Sequence, residues 1–411
     1  DAAGKNLFGG GFLGLDNASP INRSELETTP GLADLELHQA DGTAWMAFFC
    51  SIMLKIALEL AEHREAYVDI ANKFLEHFIL ISHACDALWD EEDEFYYDWA
   101  HVKGDHTPAF PIRVRSYVGL IPLFASLTIS DETLRKLPAF QARMAWFLRH
   151  RSSWCASHVY SGRGAQSPVL GVSVTESAAD LMREGIGPQG AVPAVGMPVG
   201  LAAAEPGTLR SKRSWAPGSC ASLPGMGSSE HGAPTGQGVH LLTLVSPERI
   251  RKIVTRMLDP EEFLAPHGIR SLSRYHLEHP YTFRHNGHEA RLRYEPGDSS
   301  SPLYGGNSNW RGPIWVPINH LLIEALQRLD HFFGDGFTIP LPTGSAEPPV
   351  SLWDVGSDIS DRLVSMFRQG GAREHAATRA PQRPASRPTI AAAGAGEPAA
   401  GGARPAYGSV S

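Results

Sequence analysis

The chain has 411 residues, of which 42% are hydrophobic and 19% charged, and its formal net charge is -8. This length and composition can bury a sizeable core and exclude a wholly disordered chain. No basic stripe accompanies the acidic balance, so we expect no nucleic-acid partner. The four cysteines, Cys50, Cys85, Cys155 and Cys220, are scattered along the chain. That scatter predicts buried free thiols, which fit a reducing compartment.

Targeting and membrane signals are not recognisable in the sequence. No run reaches the roughly 18 uninterrupted apolar residues that a membrane-spanning helix needs. The first ten residues lack an initiating Met, a basic region and the apolar stretch of a signal peptide. We therefore expect no membrane span, favour the cytoplasm, and interpret the chain as a fragment of a longer protein.

Helical periodicity begins after an irregular, glycine-rich segment, residues 1–37. Apolar residues recur at helical spacing in "QADGTAWMAFFCSIMLKIALELAEH" and "REAYVDIANKFLEHFILISHACDALW". These two stretches predict an αα-hairpin, with Asp41 at the N-cap of its first helix. The acidic and aromatic stretch "LWDEEDEFYYDWAHVKG" predicts a loop or short hairpin. The next stretches, "VRSYVGLIPLFASLTI" and "DETLRKLPAFQARMAWFLRHR", predict a second helical pair.

The second half of the chain is interrupted by residues 161–237, which are dense in Gly, Pro, Ala and Ser and predict disorder or a non-native insertion. Helical spacing returns in "VHLLTLVSPERIRKIVTRMLDPEEFL", with Pro247 at a helix start, and in "PIWVPINHLLIEALQRLDHFFGD". Residues 346–411 predict a disordered tail. Together the elements predict an all-α domain, with a first part in residues 1–160 and a second part in residues 238–345.

The first candidate site residues stand near the amino end of this domain. Asp16 and Asn17 follow a glycine-rich stretch, for which an Asx-turn is the simpler interpretation. Gln39, Asp41 and Trp45 come at the start of the first helix, where an N-cap is the simpler role for Asp41. An amide that hydrogen-bonds hydroxyls and an indole that offers a flat face both suit a sugar.

A second set of candidates lies in the loops of the second half. Tryptophans, an arginine and an asparagine meet there at a loop-to-helix junction and could bind sugar hydroxyls and C–H faces, although a core position is the alternative for a tryptophan. The candidates at this junction are Asn309, Trp310, Arg311 and Trp315, and Arg270 is a further candidate in the earlier loop "APHGIRSLSRYHLEHPY". The chain has no P-loop, no G-x-G-x-x-G after a strand, no H-E-x-x-H and no C-x-x-C. Nucleotide, zinc and thiol-redox chemistry are therefore disfavoured.

Six segments resemble the catalytic domain of glycoside hydrolase family 63, which includes processing α-glucosidase I and mannosylglycerate and glucosylglycerate hydrolases. The segments are "GGFLGLDN", "QADGTAWMAFF", "LWDEEDEFYYD", "RVRSYVGLIPLFA", "PHGIRSLSRYH" and "GGNSNWRGPIWVPINHLLIEALQR". The resemblance covers roughly residues 4–160 and 238–345. It implies an (α/α)6 toroid, an inverting mechanism, and neither a metal nor an organic cofactor. It also assigns Asp16 as the general acid. The residues that it places around the sugar are Asp41, Trp45, Trp310, Arg311 and Trp315.

The chain departs from this family at the general base. The family carries a glutamate in a Tyr-Glu-X-Tyr/Phe loop, but the resemblance fades after "PLPTGS", and neither Glu295 nor Asp298 matches that position. Residues 161–237 have no counterpart either. We interpret them, with the tail beyond about residue 350, as intron read-through or frame-shifted translation, which sequencing of the transcript would test.

Three functions follow from this interpretation. The leading one is an inverting, exo-acting α-glycoside hydrolase that takes a small carbohydrate and is impaired because no residue activates the water. The second is a non-catalytic carbohydrate-binding remnant, and the third is a helical scaffold without a ligand. Convergence of Asp16, Asp41 and Trp310 on one cavity would exclude the scaffold.

Overall fold

The computed structural model describes residues 6–9, 19–104, 108–162, 238–296, 300, 313–342 and 348–368. Of these, 48% are helical and 20% are in strands, which form several small antiparallel sheets. The prediction of an all-α (α/α)6 toroid is therefore wrong. All the described residues belong to one compact unit, while the second unit, residues 174–237, lies outside them.

Eight α-helices are distributed along the described part of the chain. They are α1 (Ala40–Ala61), α2 (Ala66–Cys85), α3 (Asp131–Lys136), α4 (Pro138–His150), α5 (Ser152–Cys155), α6 (Pro247–Met257), α7 (Val316–Phe333) and α8 (Leu352–Ser365). Helix α1 packs along α2, which confirms the predicted αα-hairpin. Helix α7 packs along α8 in a second pair. Pro247 starts α6 as predicted. The N-cap of α1 is Gln39, so Asp41 lies inside the first turn instead.

Short strands connect these helices. They are β1 (Leu35–His38), β2 (Trp89–Asp90), β3 (Phe95–Tyr96), β4 (Asp98–Val102), β5 (Phe110–Ile112), β6 (Ser126–Ser130), β7 (Val159–Ser161), β8 (Val239–Thr243), β9 (Leu264–Ala265), β10 (Gly268–Ile269), β11 (Tyr281–His285), β12 (His288–Leu292), β13 (Thr338–Ile339) and β14 (Val350–Ser351). Two sheets have three strands, in the orders β1-β4-β5 and β6-β8-β7. The predicted loop or hairpin after α2 is the β2–β3 pair.

The segment from Tyr117 to Ser130 accounts for much of the difference from an all-α fold. Instead of the predicted helix it forms two 3₁₀ turns, Tyr117–Gly119 and Ile121–Phe124, followed by β6. The proline in the second turn lacks the N–H that a continuing α-helix requires. Strand β6 then pairs with β8, where Ser126 lies opposite Thr243. Short apolar runs fit a helix or a strand equally well, so the remote partner decides between them.

The predicted disordered tail is wrong for its first part, because α8 lies within residues 346–411. A capping box starts this helix: the Ser351 hydroxyl accepts the Asp354 N–H at 3.1 Å, and the Asp354 carboxylate accepts the Ser351 N–H at 3.4 Å. Four apolar residues at helical spacing are buried on one face, namely Leu352, Val355, Ile359 and Leu363. Residues 369–411 lie outside the described part.

Helix α1 is the one described helix with the length and hydropathy of a membrane span, and 44% of its most apolar window is buried within the protein. It packs against α2 and the turn Ile121–Phe124 as a core helix does. One such helix is weak evidence for a membrane span, and the finding is consistent with the expectation that the chain has none. The described cysteines are buried and free as predicted, and burial raises the pKa of Cys50 to about 11.

Candidate functional site

The first turn of α1 is buried on all sides. Ala40 and Thr43 have no exposed surface, and Asp41 is 1% exposed. The N–H groups of a first helical turn have no partner within the helix, so a buried terminus must satisfy them in another way. Here Ala40 N–H donates to Oδ1 of Asp98 at 2.9 Å, and Gly42 N–H donates to Oδ1 of Asp41 at 2.8 Å. Two carboxylates therefore accept the free N–H groups at the amino end of α1, where the helix dipole favours negative charge.

A single arginine bridges these two carboxylates. Nη1 of Arg23 donates to both oxygens of Asp41 at 2.8 Å, and its Nη2 donates to Oδ2 of Asp98 at 2.6 Å. The same Nη1 lies 3.5 Å from Oε1 of Gln39. Arg23, Gln39, Asp41 and Asp98, together with Phe8, are called the α1 cluster below. Its charged groups are almost completely shielded from water.

Phe8 brings a further part of the chain to the same place. Its carbonyl accepts the Gln39 N–H at 2.8 Å, and its own N–H donates to the Thr43 hydroxyl at 2.9 Å. A Cβ at Gly42 would lie 2.7 Å from the Phe8 ring, so only a glycine allows this close approach. Phe8 and Arg23 thus fix both flanks of residues 10–18, the segment that carries Asp16, to the start of α1.

The α1 cluster holds one more negative than positive charge when both carboxyls are ionised. Burial raises the pKa of Asp98 to about 6, and the neighbouring charge of Asp41 adds to this rise, while Arg23 and the Ala40 N–H oppose it. Burial therefore makes the protonated form of Asp98 more favourable than it is in water.

Two buried donors near the start of α1 lack an acceptor among the described residues. Within the described residues, Nε2 of Gln39 and Nε1 of Trp45 make no hydrogen bond. Gln39 is 2% exposed. Trp45 packs its ring against Phe48 and Phe124, with centroids 5.8 Å and 5.6 Å away. A buried donor without a partner costs about 1–3 kcal/mol, so such atoms mark a place where a polar ligand or an ordered water is expected.

A second polar cluster lies at the start of α7. Nδ2 of Asn319 donates to the Tyr117 hydroxyl at 2.7 Å, and the Ile269 N–H donates to Oδ1 of Asn319 at 2.7 Å. Trp315, the N-cap of α7, is 3% exposed and packs edge-on against the Tyr117 ring at 5.4 Å. Gly268 adopts φ +131°, and a Cβ there would lie 2.9 Å from Oδ1 of Asn319. The cluster joins three of the segments that carry the family resemblance.

The Arg270 side chain hydrogen-bonds to backbone carbonyls of the loop around it. Its Nη1 donates to the carbonyls of Leu264 and Pro260 at 2.8 and 3.0 Å, and its Nε donates to the Tyr294 hydroxyl at 3.2 Å. Arg270 is 9% exposed. In this arrangement the guanidinium stabilises the β9–β10 turn.

The structure brings Gln39, Asp41 and Trp45 to the amino end of α1 and Trp315 to the amino end of α7. The turn Ile121–Phe124 packs against both helices. The other sequence candidates lie outside the described residues; these are Asp16, Asn17, Asn309, Trp310 and Arg311. Of the three residues expected to converge on one cavity, Asp41 is described, and Asp16 and Trp310 lie outside the described part.

Four polar residues of the two clusters were missed by sequence reasoning: Arg23, Asp98, Tyr117 and Asn319. Asp98, Tyr117 and Asn319 lie inside segments that carry the family resemblance, so that resemblance was the available signal. Their positions in an aromatic strand, a 3₁₀ turn and a helix carry no periodicity that indicates a polar partner. Arg23 stands in an irregular stretch, and only its buried contacts reveal its role.

Comparison with known proteins gives one relative. The chain is 37% identical over 385 residues to the uncharacterised protein YMR196W of Saccharomyces cerevisiae (strain ATCC 204508 / S288c). The similarity covers 89% of this chain but 28% of that protein, so the chain spans a little over a quarter of its relative's length. No protein-family model matches the chain, and no solved structure matches it.

Proposed function

We propose that this chain binds a small carbohydrate at the α1 cluster and contributes that pocket to an α-glycoside hydrolase of the family 63 type. The observation that carries the proposal is a pair of buried donors near the start of α1 that have no acceptor among the described residues, Gln39 Nε2 and Trp45 Nε1. Gln39 belongs to the same cluster as Asp98, whose pKa burial raises to about 6. Sugar hydroxyls supply acceptors for both donors. The family resemblance of the segments that build the cluster supports the same ligand class.

The α1 cluster offers neutral hydrogen-bonding groups more readily than free charge. The oxygens of Asp41 and Asp98 are already engaged by Arg23 and by backbone N–H groups. These carboxylates are accordingly proposed as positioning residues, while Gln39 and Trp45 contact the ligand. A neutral polyol fits such a pocket better than an anion, which the excess negative charge would repel.

In this proposal Asp16 is the general acid. Both flanks of its segment are anchored at the α1 cluster, by Phe8 and by Arg23. An acid that protonates a leaving-group oxygen must keep its proton at working pH, and negative charge nearby favours the protonated form. Inverting hydrolysis further requires a base about 6.5–9.5 Å from the acid, and this role is unassigned.

Calorimetry with the full chain tests the ligand class. Glucose, glucosylglycerate and a glucose-like iminosugar are the probes. We expect binding that weakens at least tenfold in Gln39→Met and in Trp45→Phe, because each variant removes one donor and keeps a similar shape. Gln141→Met, on the exposed face of α4, is the matched control. Equal affinity in Gln39→Met and in the wild type would contradict the assignment of the pocket.

Hydrolysis is tested separately by sugar release from glucosylglycerate. Turnover that is lost in Asp16→Asn, with binding retained, supports the catalytic role. Binding without turnover supports the second candidate, a non-catalytic carbohydrate-binding protein. A chain that binds none of the three probes overturns both.

A further inference from the structure

The β1–β4 pair carries a group of metal-binding side chains on one face. Glu36 and His38 are two residues apart on β1 and so point to the same side of the sheet. His101 on β4 lies directly opposite Glu36 in the antiparallel register, which places its side chain on that side too. The opposite face presents Leu35 and Leu37 to the core. The strand backbone therefore holds three potential ligands together.

The distances fit a tetrahedral transition metal. Oε1 of Glu36 lies 3.4 Å from Nε2 of His38, and its Oε2 lies 3.1 Å from Nε2 of His101. Zinc binds such atoms at about 2.0–2.2 Å, so tetrahedral ligands lie about 3.3 Å from one another. One ligand atom from each of the three residues lies within 4.8 Å of the other two. Tetrahedral coordination would in addition bring the two imidazole nitrogens, which lie within 4.8 Å of each other, to about 3.3 Å.

We propose that Glu36, His38 and His101 form a zinc-binding site. Two imidazoles and one carboxylate are a donor set for zinc and similar transition metals, whereas Mg²⁺ and Ca²⁺ prefer oxygen ligands alone. The side chains are 33%, 8% and 23% exposed in that order, so one side of the group is open to solvent. Three protein ligands with an open fourth position leave room for a water molecule on the metal.

The site stands next to the α1 cluster along the chain, since His38 precedes Gln39. A bound metal would tie β1 to β4 immediately before the strand turns into α1. The simpler alternative is that Glu36 only accepts hydrogen bonds from the two imidazoles, without a metal. The two arrangements differ in whether the chain takes up one equivalent of zinc at this place.

Competition with a chromogenic chelator measures zinc binding by the metal-free full chain. We expect one equivalent at the site, with affinity at least tenfold weaker in Glu36→Gln and in His101→Gln. Glu36→Gln keeps the side-chain shape, and His101 is partly exposed, so both variants should remain folded. His63→Gln is the control, because His63 is exposed in the turn between α1 and α2. Wild-type affinity no higher than that of His101→Gln would overturn the site.

Cobalt(II) gives a second measurement that needs no variant. A four-coordinate site with two imidazoles should produce the intense visible absorption of tetrahedral cobalt in the wild-type chain. His38→Gln should remove it, and His63→Gln should not. Weak absorption typical of octahedral cobalt alone, in the wild type, would contradict the proposed geometry.

Discussion

Replacing Arg23 by methionine isolates the energetic role of the α1 cluster. The change keeps a long side chain but removes the cation that pairs, within the described residues, with both Asp41 and Asp98, whose side chains are 1% and 5% exposed. Breaking a buried pair in this way costs about 3–5 kcal/mol, because a charge stays buried without its partner. One guanidinium serves two carboxylates here, so we expect a loss in the upper part of that range. Such a loss is about a quarter or more of the roughly 5–15 kcal/mol that stabilises a typical domain.

Urea denaturation of the full chain measures this loss as the change in the free energy of unfolding. Arg284→Met is the control, because the ion pair of Arg284 with Glu289 lies on the solvent-exposed β11–β12 hairpin, where such pairs contribute little. Adding Asp98→Asn to Arg23→Met should recover part of the stability, since it removes one buried charge. A loss in Arg23→Met no larger than in Arg284→Met, or a double variant that is less stable still, would contradict this role of Arg23.

Three further predictions concern the same two clusters. The pKa of Asp98 is about 6 in the folded chain against an ordinary 3.8, so the native state binds this proton more tightly. The free energy of unfolding should therefore fall as pH rises from about 4 to 6, and denaturation at several pH values should show that Asp98→Asn lacks this fall. Gly268→Ala should lower the free energy of unfolding by about 1–3 kcal/mol through overpacking. Gly104→Ala should cost clearly less, because Gly104 also has a positive φ but an added Cβ there would meet no atom within 4 Å. Equal losses in the two variants would exclude the close contact at Gly268. Tyr117→Phe removes the hydroxyl that accepts from Asn319 and donates to Ile269. It should cost about 1–3 kcal/mol in thermal or urea denaturation, and an unchanged midpoint would show that the cluster is not needed.

The long helices were predictable because their apolar residues follow one period over many turns. The α1–α2 hairpin and α7 are the clearest cases, since each buries a continuous stripe against a neighbour. The Ser-x-x-Asp start of α8 also carries a local signal, a capping box, although it was assigned to the tail. Helix α8 is short and lies in a polar stretch of sequence, so its apolar period was not recognised.

The strands were not predictable to the same degree, because what defines them lies far away in the sequence. Ser126–Ser130 becomes a strand only through pairing with β8, more than a hundred residues later. The same reason hides the proposed metal site. Glu36 and His101 are neighbours only in the register of β1 and β4, and a search for ligand spacing along one helix cannot find them.

Some polar residues of the α1 cluster could be predicted from the sequence, and others could not. Gln39 and Asp41 were selected for their residue types beside a helix start, and the structure places both in the α1 cluster. Their partners, Arg23 and Asp98, follow no pattern, because a buried ion pair is specified by packing from three separate segments. The roles within the cluster likewise depend on contacts: Asp41 is engaged by Arg23, whereas the amide nitrogen of Gln39 has no acceptor among the described residues.

The pairing of β7 with β8 has a consequence for the length of chain that can connect them. Ser161 lies opposite His240, and the Gly162 N–H donates to the Val239 carbonyl at 2.9 Å. Residues 163–237 therefore join two strand ends that already lie side by side. A connection between such ends can be lengthened or shortened without moving any strand of the sheet. Joining Gly162 to Gly238 through a short turn should give an ordinary β-hairpin and leave both candidate sites intact.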